Sequence, residues 1–195
     1  MSQGDVDYAL WDECYMYLNT QHTSIPTGLG QVFMGCIWKI TAGKIAMNIT
    51  CPISIIGCVF VDGIYAVNCS ANTSFAFVQN CTFYDQTQYG VTQLGTDNMI
   101  VVNNIFALAP GVGAVGIHIG APGGSISYND YNCFIESDGT PLTPISTIYV
   151  GGEAPVIGPH SIEVDPLFVD AANGNFRLLS GSPCRRTGNP TVGAT

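Results

Sequence analysis

Charge is what this 195-residue chain has least of. Only 10% of its residues are charged, and five lysines and arginines stand against fourteen acids, for a net charge of −9. So few basic groups cannot neutralise a run of phosphates, which argues against nucleic-acid binding, and attraction to anionic lipid heads fails for the same reason. There is no uninterrupted apolar run of the ~18 or more residues that a membrane helix needs. The first residues, Met-Ser-Gln-Gly-Asp-Val-Asp, are acidic and lack the basic and apolar regions of a secretory signal. The expected product is therefore soluble from the start, or a mature form whose leader has been removed. No C-x-x-C pair occurs and the three histidines, His22, His118 and His160, are scattered, so a structural zinc site has little support.

What is present is apolar residue, 47% of the chain, together with 23 glycines and 11 prolines. High hydrophobicity with low charge excludes intrinsic disorder, and the glycine and proline content favours many turns between short elements. Four N-x-S/T sequons begin at Asn48, Asn68, Asn72 and Asn80. Without a signal peptide they read as coincidences in a chain rich in Asn and Thr.

The organising feature is a repeat. Gly35-Cys36-Ile37-Trp38, Gly57-Cys58-Val59-Phe60, Asn80-Cys81-Thr82-Phe83 and Asn103-Asn104-Ile105-Phe106 follow one another at offsets of 22, 23 and 23 residues. A second ladder, Ile45-Ala46-Met47, Tyr65-Ala66-Val67, Tyr89-Gly90-Val91 and Val115-Gly116-Ile117, keeps step with it. A further turn is expected at Ser125–Tyr131, with Asn129 as the counterpart of Asn103. A period of about 23 residues is too short for a helical-hairpin repeat or a propeller blade. It suits a coil of three short strands stacked on the next coil by parallel hydrogen bonding, a parallel β-solenoid. A leucine-rich horseshoe lacks its consensus here, and an antiparallel sandwich would not require like residues to recur at this period.

In a solenoid, equivalent residues stack ~4.8 Å apart. Cys36, Cys58, Cys81 and Asn104 then form an inward column, and Trp38, Phe60, Phe83 and Phe106 an aromatic column on the same face. Ala46, Ala66, Gly90 and Gly116 mark tight packing. The cysteines read as small buried hydrophobes, mostly reduced, because stacked side chains pointing one way lack disulfide torsion.

The ends need covers. Asp5 or Asp7 caps an expected N-terminal helix carrying Tyr8, Trp11, Tyr15 and Leu18 on one face, within a lead-in over 1–30. The β-helix is expected over 31–195, with a Pro- and Gly-rich loop excursion at 136–160. The closing segment carries Asp165-Pro166-Leu167-Phe168, Asn173-Gly174-Asn175-Phe176-Arg177-Leu178 and Gly181-Ser182-Pro183. This series resembles the end of right-handed parallel β-helix proteins of the pectate-lyase-like superfamily. The resemblance implies an all-β, right-handed parallel β-helix, here of about five to six rungs with a capping helix.

That fold hosts lyases, hydrolases, surface proteins and viral components. The lyases of the resemblance use a Lys or Arg base beside acidic calcium ligands, and its hydrolases use clustered aspartates. Here the rungs hold only Lys39 and Lys44, with no arginine before Arg177. Asp62 and Asp85, 23 residues apart, are the one acidic stack and a candidate cation or proton-sharing pair. Ile40 and Leu108 flank them in register, so turn chemistry is the plainer account. His118 reads as an outward strand residue, the serines form no nucleophile elbow, and residues 120–124 form a turn. No catalytic, cofactor or metal residues are therefore assigned.

Ile37, Val59 and Ile105 form an apolar outward column broken by Thr82, which suggests packing against copies or a scaffold. In fold and size the chain also resembles short β-helix components of phage particles, and that resemblance implies a non-enzymatic structural protein of a bacteriophage virion. It would be a capsid cement (decoration) protein or short spike, self-associating as a homotrimer and binding a major capsid or other virion protein. The alternatives are a polysaccharide-binding or polysaccharide-degrading β-helix protein, and an extracellular or cell-surface adhesion module.

Overall fold

A computed structural model describes residues 9–18, 23–25, 30–69, 75–95, 98–120, 125–147, 157–185 and 188. The chain winds as three strands per turn. The turns comprise β1 (Ala9–Asp12), β2 (Tyr15–Leu18) and β3 (Thr23–Ile25); β4 (Gln31–Met34), β5 (Ile37–Ile40) and β6 (Ile45–Ile49); β7 (Ile53–Ile56), β8 (Val59–Val61) and β9 (Tyr65–Cys69); β10 (Ala76–Gln79), β11 (Thr82–Tyr84) and β12 (Tyr89–Gln93); β13 (Asn98–Val102), β14 (Ile105–Leu108) and β15 (Val115–Ile119); and β16 (Ser125–Asp130), β17 (Cys133–Glu136) and β18 (Thr143–Thr147). Every third strand pairs in parallel, giving three six-stranded sheets: β1-β4-β7-β10-β13-β16, β2-β5-β8-β11-β14-β17 and β3-β6-β9-β12-β15-β18. The solenoid proper amounts to about four full turns, slightly fewer than the five to six rungs expected, with an end turn on each side that lacks a full neighbour.

Among the described residues the N-terminal capping helix is not seen, and residues 9–12 and 15–18 are strands instead. Trp11 lies in β1 opposite Phe33, and Tyr15 and Met16 lie in β2 opposite Ile37 and Trp38. The i, i+3, i+7 spacing of aromatics on which the helix rested is met coincidentally by a coil whose backbone groups bond to the next one. Glu13 N–H donates to Met34 O at 2.9 Å and Ile37 N–H to Cys14 O at 2.8 Å. Inter-coil pairing outweighs local helical spacing. Asp5, Asp7 and Tyr8 lie outside the described residues.

Why the chain turns between first and second sheets is visible in one backbone column. Glu13, Gly35, Gly57, Asn80, Asn103 and Tyr131 all have positive φ, from 46° to 63°. Gly and Asn tolerate this left-handed conformation, so the four central turns carry them, while Glu13 and Tyr131 mark the two end turns. On the five turns after the first, the next residue is buried: Cys36, Cys58, Cys81, Asn104 and Asn132. Two residues further, Trp38, Phe60, Phe83, Phe106 and Phe134 stack face to face, with centroids 4.6–6.0 Å apart and planes within 16°. A Cβ on Gly90 would stand 2.5 Å from Phe106, and one on Gly116 would stand 2.6 Å from Phe134. The small residues of the second ladder are thus set by the aromatic pile they press against.

The register at the last turn differs from expectation. Asn129 pairs with Val101, not Asn103, and the left-handed position falls to Tyr131. A bulge between Met99 and Ile100 lets the final turn take extra residues without losing the stack. Within the stretch expected as a loop excursion, 143–147 form β18, which pairs with β15; residues 148–156 lie outside the described residues.

The closing segment does more than end the coil. Ile162 forms one parallel bridge to Cys133, and the chain then folds back across the outer face of the second sheet. There β19 (Phe168–Asp170) and β20 (Asn175–Leu178) make an antiparallel hairpin through a 3-10 turn at Ala171–Asn173. Phe168 and Phe176 lie 6.3 and 5.2 Å from the ring of Tyr84.

Candidate functional site

Asp62 and Asp85 sit at the second corner, each with positive φ (64° and 60°). Their N–H groups continue the ladder, to Tyr84 O at 2.8 Å and Ala107 O at 3.0 Å. Aspartate is among the residues that accept this conformation, so the corner explains both. Their carboxylates go to different partners. Lys39 Nζ is 2.6 Å from Asp62, on a half-exposed surface where such a pair is worth no more than ~1 kcal/mol. Asp85 accepts the Ser137 hydroxyl at 2.5 Å. Lys39, Asp62 and Asp85 line a shallow groove of about 520 Å³ with Tyr17, Thr87 and Pro110. Each carboxylate is thus committed to its own donor, and among the described residues no three His, Cys, Asp or Glu side chains gather as a metal cage.

A second constellation was not legible in the repeat. Asp130, at the end of β16, is buried and accepts His160 Nδ1 at 2.7 Å plus the N–H groups of Tyr131 and His160, both at 2.8 Å. Burial alone would raise the Asp130 pKa, but the bonds from His160 and Tyr131 outweigh it and hold the carboxyl below its ordinary value. The His160 ring stacks on Tyr131, 4.6 Å away and within 4° of parallel. The returning strand comes this close because residue 158 is glycine: a Cβ there would lie 2.2 Å from Asn129 O. The arrangement clamps the C-terminal segment to the last turn. Beside it lies a cavity of about 410 Å³, onto which Asn80, Asn103, His160, Cys133, Cys184 and Arg185 open. The sequence signal was the Asn129-Asp130-Tyr131 run, read for register instead of for its acid.

His118 is buried, not an open surface residue. Its ring stacks 4.1 Å from Tyr89, and burial lowers its pKa. Asn68, one of the sequon asparagines, is also buried and donates to Asn48 Oδ1 at 2.9 Å. That leaves it inaccessible to a glycosylating enzyme in the folded chain. Of residues 120–124, only Gly120 is among the described residues.

The stacked corners, aromatic pile and three parallel sheets define a parallel β-solenoid protein. No family model matches the chain, and neither does any curated protein or solved structure.

Proposed function

We propose that the chain is a non-enzymatic structural protein of a virus particle, a capsid cement or short spike of a phage, that works by self-association on a rigid β-solenoid. The carrying observation is the exposed apolar surface at the first turn. Leu10 is 60% exposed, Trp11 44%, Tyr15 68% and Tyr17 63%, with Met34 and Ile37 beside them at 40% each. Trp11 stacks at 5.8 Å on the buried Phe33 of the next turn, so one face rests on the core while the residue stays exposed. An aromatic end and an apolar stripe side by side are what an assembly contact requires. The closing hairpin covers the outer face of the second sheet at Tyr84 in β11, and Tyr15 and Ile37 nearer the first turn remain exposed.

Light scattering at micromolar concentration tests the reading. It predicts a particle of three 20.6 kDa chains that Tyr15→Lys combined with Ile37→Lys returns to one chain. A wild-type monomer that binds no capsid shell contradicts it. The second reading, a polysaccharide-binding or polysaccharide-degrading protein, draws on the groove of Tyr17, Lys39, Asp62 and Asp85. It predicts turnover or binding of a polysaccharide that Asp62→Ala abolishes. An adhesion module on a cell surface would use the same exposed stripe.

A further inference from the structure

Four of the eight cysteines, Cys51, Cys69, Cys133 and Cys184, stand apart from the inward column, and the last two meet where the closing segment returns over the second sheet. Cys133 opens β17 in register with Ile105, Thr82 and Val59, on the outer side of the second sheet that the returning segment covers. Its thiol donates to Val164 O at 3.1 Å, within that segment. Cys184 comes from the far end of the same segment, in a turn fixed by Ser182, whose hydroxyl donates to Pro166 O at 2.6 Å and accepts the Cys184 N–H at 3.1 Å. Both cysteines border the 410 Å³ cavity, and their side chains interact, each shifting the other's pKa.

We propose that Cys133 and Cys184 form a redox-operated staple that locks the C-terminal segment onto the outer face of the second sheet. The column cysteines Cys36, Cys58 and Cys81 ride on parallel strands and point the same way, which denies them the near-perpendicular torsion of a disulfide. Cys133 and Cys184 approach from a strand and from an unrelated turn, free of that constraint.

The two thiols differ in readiness. Interaction with Cys133 holds the Cys184 pKa below the ordinary thiol value, while interaction with Cys184 and burial push Cys133 well above it. Cys184 is half-buried and Cys133 is buried. With a low-molecular-weight disulfide such as glutathione disulfide as oxidant, the Cys184 thiolate attacks one sulfur and expels a glutathione thiolate. The Cys133 thiol then loses its proton, attacks the Cys184 sulfur of the mixed disulfide and expels the second. One protein disulfide forms, two protein thiols are oxidised, and the glutathione disulfide is reduced to two glutathione molecules. The bond closes the long loop between 133 and 184, so it restricts the unfolded chain strongly.

The test incubates the folded protein with glutathione disulfide, quenches it by acid and digests it without reduction. The account predicts loss of two of eight thiols, one cross-linked peptide pair containing Cys133 and Cys184, and a Tm roughly 5–15 °C higher than in reductant. Cys133→Ser is predicted to stop at a stable glutathione adduct on Cys184. Cys184→Ser is predicted to take up no adduct at Cys133. A wild-type protein that retains eight thiols, or a cross-link joining any other pair, overturns the proposal. So does a Cys133→Ser protein that keeps the wild-type Tm in reductant yet gains no adduct.

Discussion

The same corner position is filled by thiols in one half of the solenoid and by amides in the other. In the first half the thiols of Cys36, Cys58 and Cys81 are shared between the carbonyls of Trp11, Phe33 and Ile55 at 3.5, 3.6 and 3.5 Å and those of Met34, Ile56 and Gln79 at 3.4, 3.6 and 3.2 Å. In the second half Asn104 and Asn132 donate to Val78 and Val101 at 3.0 and 2.9 Å. Trp11, Phe33, Ile55, Val78 and Val101 are one register column of the first sheet, so one carbonyl per turn is served by whichever side chain is present. Asparagine does a second job that cysteine does poorly. Asn104 Oδ1 accepts the Cys81 N–H at 2.9 Å, and Asn132 Oδ1 accepts the Asn104 N–H at 3.0 Å. The difference teaches that the corner demands a small inward donor, and that the ladder of buried amides is an added bond, not the condition for winding.

Four substitutions would break or sharpen this contrast. The largest effect is expected from Phe83→Ala, where the two halves join. Phe83 is fully buried between Phe60 and Phe106, and its loss should destabilise by about 3–5 kcal/mol in urea or thermal unfolding. Next is Asn104→Ala, which strands the Val78 carbonyl and the Cys81 N–H and should cost about 2–4 kcal/mol. Asn104→Cys, importing the first half's solution, should recover at least a third of that loss; equal losses for both variants would show that the two halves are not equivalent. The smallest effect is pH-dependent and belongs to the third sheet, where His118 stands in register with Thr92 and Asn68. Burial depresses the His118 pKa in the folded chain, so folding favours its neutral form. Its contribution is therefore flat above the unfolded value of about 6.5 and turns unfavourable as pH falls below it, levelling off under the folded pKa. Tm measured from pH 8 to 5 should decline, and His118→Thr should remove that part of the decline.

Much of the fold was legible because stacking forces like onto like: the Cys–aromatic ladder and the Ala/Gly ladder are both register columns of the sheets. The first turn escaped because Cys14-Tyr15-Met16 replaces Cys36-Ile37-Trp38 with side chains of different shape, while their spacing also satisfies a helix. Asn132 and Phe134 escaped because the last turn is longer and the bulge at Met99/Ile100 shifts its register. Asp62 and Asp85 were correctly read as corner residues, but Lys39 and Ser137 as their partners depend on side-chain reach across turns. The Asp130–His160 clamp and the Cys133–Cys184 pair were beyond periodic reading altogether. They are made by a segment that leaves the repeat and returns over its outer face, so their spacings of 30 and 51 residues follow no period.

The winding itself is tested most directly by ring-proton nuclear Overhauser effects in protein labelled selectively at phenylalanine. The account predicts that Phe83 shows cross-peaks to both Phe60 and Phe106, and that Phe106 continues the chain to Phe134, as centroid spacings of 5.2, 4.6 and 5.0 Å require. Rings that contact no phenylalanine a full turn away in both directions would contradict it.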